Sequence, residues 1–114
     1  MLRISIGDKR VDAFGSAGVT AAALARLEKV DGAGVDVLTF EPGGLLGRHP
    51  TRLWQLFLLV SGTGWTSGSD GVRERLLPGD AVLWEPGEEH ESGTDDGMVA
   101  VVVQTPVTPL PGVA

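Results

Sequence analysis

Two stretches decide the reading of this chain. The first runs Gly43-Gly44-Leu45-Leu46-Gly47-Arg48-His49-Pro50-Thr51-Arg52-Leu53-Trp54-Gln55 and closes at Gly62; the second runs Gly79-Asp80-Ala81-Val82-Leu83-Trp84-Glu85-Pro86-Gly87-Glu88-Glu89-His90 and closes at Thr94. They hold the only 2 histidines of the chain. In the first frame, five residues separate Gly43 from His49, one separates His49 from Thr51, three separate Thr51 from Gln55 and six separate Gln55 from Gly62. In the second, five residues separate Gly79 from Glu85-Pro86-Gly87, two more lead to His90 and three more to Thr94. Glycines at 43, 62 and 79 suit turns whose backbone other residues resist. Neutral imidazole is a common ligand of divalent metals, so the two histidines are candidate metal ligands.

The residues around these frames read as short strands. Leu2 to Ile6 alternates apolar and polar before a Gly7-Asp8 turn and Val11 to Phe14, which suggests an N-terminal hairpin or arm. Thr20 to Val30 and Val35 to Glu41 flank Asp31-Gly32-Ala33-Gly34 like two sides of a hairpin. Pro42-Gly43-Gly44 then punctuates, with a loop expected as far as His49. Leu53 to Val60 is the most apolar run, and its length predicts a strand buried on both faces. Further strands are expected at Trp65-Thr66, Val72 to Leu77, Ala81 to Trp84, His90 to Ser92 and Met98 to Gln104, with Gly- and Asp-rich turns between them. Because residues two apart on a strand share a face, an extended segment after His49 would point His49, Thr51, Leu53, Gln55, Phe57 and Leu59 one way. Trp54, Leu56, Leu58 and Val60 would point the other.

Composition agrees with a barrel or sandwich of short strands. The chain has 114 residues, enough for one core, with Gly 17 and Pro 7 to serve many turns. There is no cysteine, which excludes disulfides, thiolate metal sites and a cysteine nucleophile. A net charge of −6 without a Lys/Arg cluster argues against nucleic acid or an anionic membrane as partner. Met1 to Arg10 carries charges and no sustained apolar run, so neither a secretory signal nor a membrane anchor is expected and a cytoplasmic protein is. The acidic run Glu85, Glu88, Glu89, Glu91, Asp95 and Asp96 reads as a solvated loop. Trp54, Trp65 and Trp84 read as packing, with Trp54 and Trp84 as an alternative subunit interface. Arg48 and Arg52 flank His49 and are expected to pair with nearby acids rather than with an anionic substrate.

The two frames resemble the signature motifs of the cupin superfamily, G-x5-H-x-H-x3/4-E-x6-G and G-x5-P-x-G-x2-H-x3-N, and place the chain beside small single-domain, RmlC-like cupins. Spacing matches throughout. Thr51 stands at the second histidine of the first motif, Gln55 at its glutamate, Glu85 at a proline and Thr94 at an asparagine. The resemblance covers roughly Val35 to Gln104 and implies an all-β, double-stranded β-helix, the cupin or jelly-roll barrel. It implies one domain over 1–104, with motif 1 at 43–62 and motif 2 at 79–94, and a Pro-rich tail over 105–114. It also implies that His49, Gln55 and His90 converge as a metal set for zinc, nickel or manganese, with Thr51, Leu53, Phe57 and Leu59 lining the pocket. Two imidazoles and a neutral amide bind a divalent ion less tightly than a set containing a carboxylate, and the 2-His-1-carboxylate pattern of iron oxygenases is absent from both frames.

Two functions follow from the resemblance. One is a metal-binding barrel acting on or binding a small molecule, as an isomerase, lyase or cyclase of a sugar acid or secondary metabolite. The other is a non-catalytic binding or sensing barrel without metal, in which the histidines serve as hydrogen-bonding groups. A homodimer is expected, because the outward set Trp54, Leu56 and Leu58 is an apolar face that needs cover.

Overall fold

The structure, a computed structural model, describes residues 1–113. Nine strands follow a nearly unstructured start: β1 Lys9–Arg10, β2 Ala17–Arg26, β3 Gly34–Pro50, β4 Trp54–Gly62, β5 Gly64–Ser67, β6 Glu74–Leu76, β7 Ala81–Trp84, β8 Glu89–Gly93 and β9 Met98–Thr105. The one helical element among the described residues is a 3-10 turn at Ala13–Gly15. Among the described residues no helix is long and apolar enough to cross a membrane. All pairings are antiparallel, in the order β6-β5-β8-β3-β9-β4-β7, with β2 also on β3 and β1 on β2. The sheet rolls into a nearly closed barrel.

β3 is the hinge of this architecture, and here the sequence expectation is corrected. No loop separates Pro42 from His49; the strand continues across Gly43. Its first half pairs with β2 and β9, from Gly34↔Gln104 to Phe40↔Met98, and its second half passes to β8, from Leu45↔Gly93 to Pro50↔Glu89. Gly43 makes the transfer possible with φ 78, a left-handed conformation that costs other residues free energy. Backbone bonds from Gly43 N to Asp95 O and from Thr94 N to Gly44 O keep the bend paired.

The barrel interior is built by alternation. β9 sends in Met98, Ala100 and Val102; β3 sends in Leu38 and Phe40; β4 sends in Phe57 and Leu59. Phe57 packs edge-on between Phe40 at 6.5 Å and Trp84 at 5.7 Å. The strand expected to be buried on both faces is sealed on one only: Phe57 and Leu59 are buried, whereas Trp54, Leu56 and Leu58 are half-buried and Val60 is exposed. Trp84 faces inward at 3% exposure, which removes it from the suggested subunit surface. The N-terminal hairpin reduces to the two-residue β1, with Leu2, Ile4 and Ile6 exposed. Of the expected tail, Pro106 to Val113 turns beside the barrel with Thr108, Pro109 and Leu110 half-buried, and Ala114 lies outside the described residues.

Candidate functional site

The passage of β3 onto β8 sets His49 directly opposite His90 in the ladder. Their ring centroids are 4.4 Å apart, tilted by 55°. Each Nδ1 meets the backbone carbonyl two residues earlier, Gly47 O at 2.7 Å for His49 and Glu88 O at 3.3 Å for His90. A carbonyl only accepts, so Nδ1 carries the proton and donates, which leaves Nε2 as the lone-pair nitrogen on both rings. His90 is 1% exposed and its Nε2 is buried without a partner. Burial lowers its pKa from 6.5 to about 4, reinforced by His49, while the Glu88 carbonyl works the other way. His90 is therefore neutral at physiological pH.

Two aromatic rings bracket the pair. Trp84 lies 4.2 Å from His90, and Phe14 stacks almost parallel on His49 at 4.2 Å and 8°. Phe14 reaches that position from the 3-10 turn with φ 60, the one non-glycine residue with positive φ among those described. Gly47 permits the docking, since a Cβ at that position would collide with the Phe14 carbonyl oxygen. Its N–H donates to Ser16 Oγ at 3.0 Å and ties the turn to β3.

Beside the pair lies a cavity of about 230 Å³. Its walls are mostly apolar, with Phe14, Leu38, Leu46, Phe57, Trp84 and Val102, and its polar groups are His49, Gln55, Gln104 and Asp36. An outer groove of about 390 Å³ between the β5–β6 hairpin and β7 is larger, yet its polar lining consists of Ser, Thr, Asp and Glu side chains with no imidazole. The inner cavity is the one of the two that an imidazole lines.

Placement of the expected site residues is uneven. His49 and Gln55 share the cavity wall, whereas His90 sits behind it against His49 and Trp84. Of the four residues expected to line the pocket, Phe57 does. Thr51 is buried with its hydroxyl donating to Leu53 O at 2.7 Å, and its backbone is tied to Gly87 and Glu88. Leu53 is buried at the turn between β3 and β4, and Leu59 belongs to the core. Glu89 and Glu91 point away from the site: Glu89 pairs with Arg48 at 3.0 Å, and Glu91 lies 4.0 Å from Arg73. Arg48 also donates to the carbonyls of Gly68 and Ser69, and Arg52 sits 3.9 Å from Asp31. Asp36, Gln104 and Phe14 were missed. Asp36 and Gln104 lie in phase with inward residues on β3 and β9, a parity signal that was available; nothing local marks Phe14.

No group of three His, Asp or Glu side chains comes together among the described residues, so Asp36 does not complete a carboxylate ligand set with the histidines. The donor set that remains is two imidazoles and the Gln55 amide. The orphaned Nε2 of His90 and the fixed tautomers fit a metal ligand role for the histidines.

A nearly closed antiparallel barrel with paired histidines beside a cavity is a barrel of the double-stranded β-helix type. The chain is a cupin by fold. It is similar to a cupin-like protein of Thermotoga maritima, with TM-score 0.79 and 26% identity over 91% of this chain and 80% of that one. It is also similar to the polyketide cyclase RemF of Streptomyces resistomycificus, with TM-score 0.76 and 21% identity over 96% of this chain and 82% of that one. A stretch of 56 residues, 49% of this chain, is 41% identical to the (R)-mandelonitrile lyase of Granulicella tundricola and spans 43% of its length. The match thus covers less than half of that enzyme. No protein-family model matches the chain.

Proposed function

We propose that this cupin binds a divalent metal through His49, Gln55 and His90 and acts on a small molecule in the inner cavity, as a lyase, isomerase or cyclase. The observation that carries the reading is the facing pair of imidazoles whose Nδ1 atoms are occupied by backbone carbonyls while the Nε2 of His90 is buried without a partner. Zinc, nickel or manganese would supply a Lewis acid that polarises a carbonyl or hydroxyl oxygen. The protein's own part is to keep His90 neutral and so able to donate its lone pair, to exclude water with Phe57 and Trp84, and to cover His49 with Phe14. The partial identity to a mandelonitrile lyase supports a lyase acting on a hydroxyl compound as the first reaction to assay.

A second reading, a binding or sensing barrel without metal, draws support from His90 lying behind the cavity wall and from the neutral donor set. Titration of untagged, chelator-treated protein with zinc, nickel and manganese separates the two. A metal that binds only the folded state raises the melting temperature, and His90→Ala abolishes the rise. Unchanged melting with all three metals leaves the metal-free barrel. Release of benzaldehyde from (R)-mandelonitrile by the metal-loaded protein tests the lyase assignment, and no release removes that substrate. The pairing of two copies through the apolar outside of β4 belongs to the same proposal.

A further inference from the structure

The inner cavity has a neighbour. A hollow of about 530 Å³ lies outside it, bordered by Asp8, Lys9, Ala23 and Arg26, and Ala21 and Asp36 line both spaces. Asp36 therefore stands at the neck between the outer hollow and the wall that carries His49 and Gln55. It is 9% exposed, and a carboxylate at such depth is rarely found unpaired. Arg26 provides the partner: its Nη2 donates to Asp36 Oδ1 at 2.7 Å, and its Nη1 donates to the carbonyls of Ala25 at 2.8 Å and Val35 at 3.4 Å. Three acceptors hold the guanidinium, so the carboxylate it grips is held in place too.

The other carboxylate oxygen is uncommitted. Oδ2 has no hydrogen-bond partner among the described residues, and it is not sealed away as Nε2 of His90 is. An ionised carboxylate accepts only, so what it receives from a ligand is a donor. A second carboxylate or a phosphate would be repelled. A ligand hydroxyl suits it, with Gln55 and Gln104, neighbours across β4 and β9, offering amides to the rest of the polar end. Phe57 and Trp84 offer flat apolar walls. The volume of about 230 Å³ is below the range of about 300–1,000 Å³ for drug-sized ligands, which limits the guest to roughly one ring with a substituent or two.

We propose that Asp36 is the hydroxyl-binding carboxylate of this pocket, and that its ligands are small alcohols with a planar apolar body. The inference deepens the small-molecule reading by naming the ligand class, and it does not depend on the metal. Asp36 is thereby the residue that selects the hydroxyl.

The test uses the full chain in the presence of chelator, with dissociation constants measured by NMR titration for benzyl alcohol and for toluene, which lacks only the oxygen. The wild type should bind benzyl alcohol about tenfold or more tighter than toluene, the discrimination expected of a hydrogen bond to a charged group. Asp36→Leu should bring benzyl alcohol to the toluene level without weakening toluene. Asp36→Asn, which keeps the shape and one acceptor, should lose part of the preference and serves if the leucine variant does not fold. Equal affinity of the wild type for both probes overturns the proposal, as does failure of both to bind or a preference that survives unchanged in the variants. Because metal is absent throughout, this result stands apart from the metal titration and from turnover of any cyanohydrin.

Discussion

Replacing His90 with leucine should remove a defined part of the acid sensitivity of this fold. The ring is 1% exposed, between His49 and Trp84, and burial holds its pKa at about 4 against an ordinary 6.5. As pH falls below about 6.5, the unfolded chain takes up a proton at this position while the folded chain does so only near pH 4. Between those values the unfolded state binds more protons, so stability declines as pH declines. At about 1.4 kcal/mol per pH unit, the interval from 6.5 to about 4 amounts to about 3 kcal/mol. Urea denaturation of wild type and His90→Leu in chelator, from neutral pH down to about 4, gives two stability curves. Other titrating groups are common to both proteins and cancel in the difference. The wild type should lose about 3 kcal/mol relative to the variant across the window. Parallel curves would refute the argument, because they would mean that the ring charges in the folded state at no cost.

Gly47→Ala should destabilise the protein by about 1–3 kcal/mol, since the added methyl meets the Phe14 carbonyl oxygen, and the ring-current shift of Phe14 on His49 should disappear from the NMR spectrum. An unchanged melting temperature with the shift intact would contradict the docking described for the turn. Phe57→Ala empties the space between Phe40 and Trp84 and should cost about 3–5 kcal/mol in urea denaturation, whereas a cost under about 1 kcal/mol would show that the barrel collapses around the gap. Light scattering should return about twice the chain mass of 11.9 kDa, with Leu56→Lys shifting it towards one. A single-chain mass for the wild type at all micromolar concentrations would remove the dimer.

Much of the architecture was legible in the order of residues. Glycine- and proline-marked turns between short strands indicated an all-β barrel or sandwich, and the resemblance of the two frames to the cupin motifs selected the barrel. Strand parity groups Phe57 with Leu59 and Met98 with Ala100 and Val102, but both runs are apolar at every position, so the inward face was set by the barrel and not by the pattern. The same rule could not be run from His49 to Leu59. It assumes an unbroken strand, and the chain leaves β3 after Pro50 and re-enters β4 at Trp54, so Thr51 and Leu53 fall in a turn and spend their groups on local packing and backbone bonds.

What tertiary structure alone decided is which groups meet. Asp36 and Gln104 carry a weak parity signal in their own strands, but their place on the cavity wall follows from the pairing of β3, β9 and β4 in register. The depressed pKa of His90 arises from the walls that neighbouring strands put around it. Phe14 over His49 depends on a glycine 33 positions later that lets two backbones touch. A local pattern specifies faces, because a face is a property of one strand; a site is a property of several strands at once, and the register and closure of the barrel choose its members.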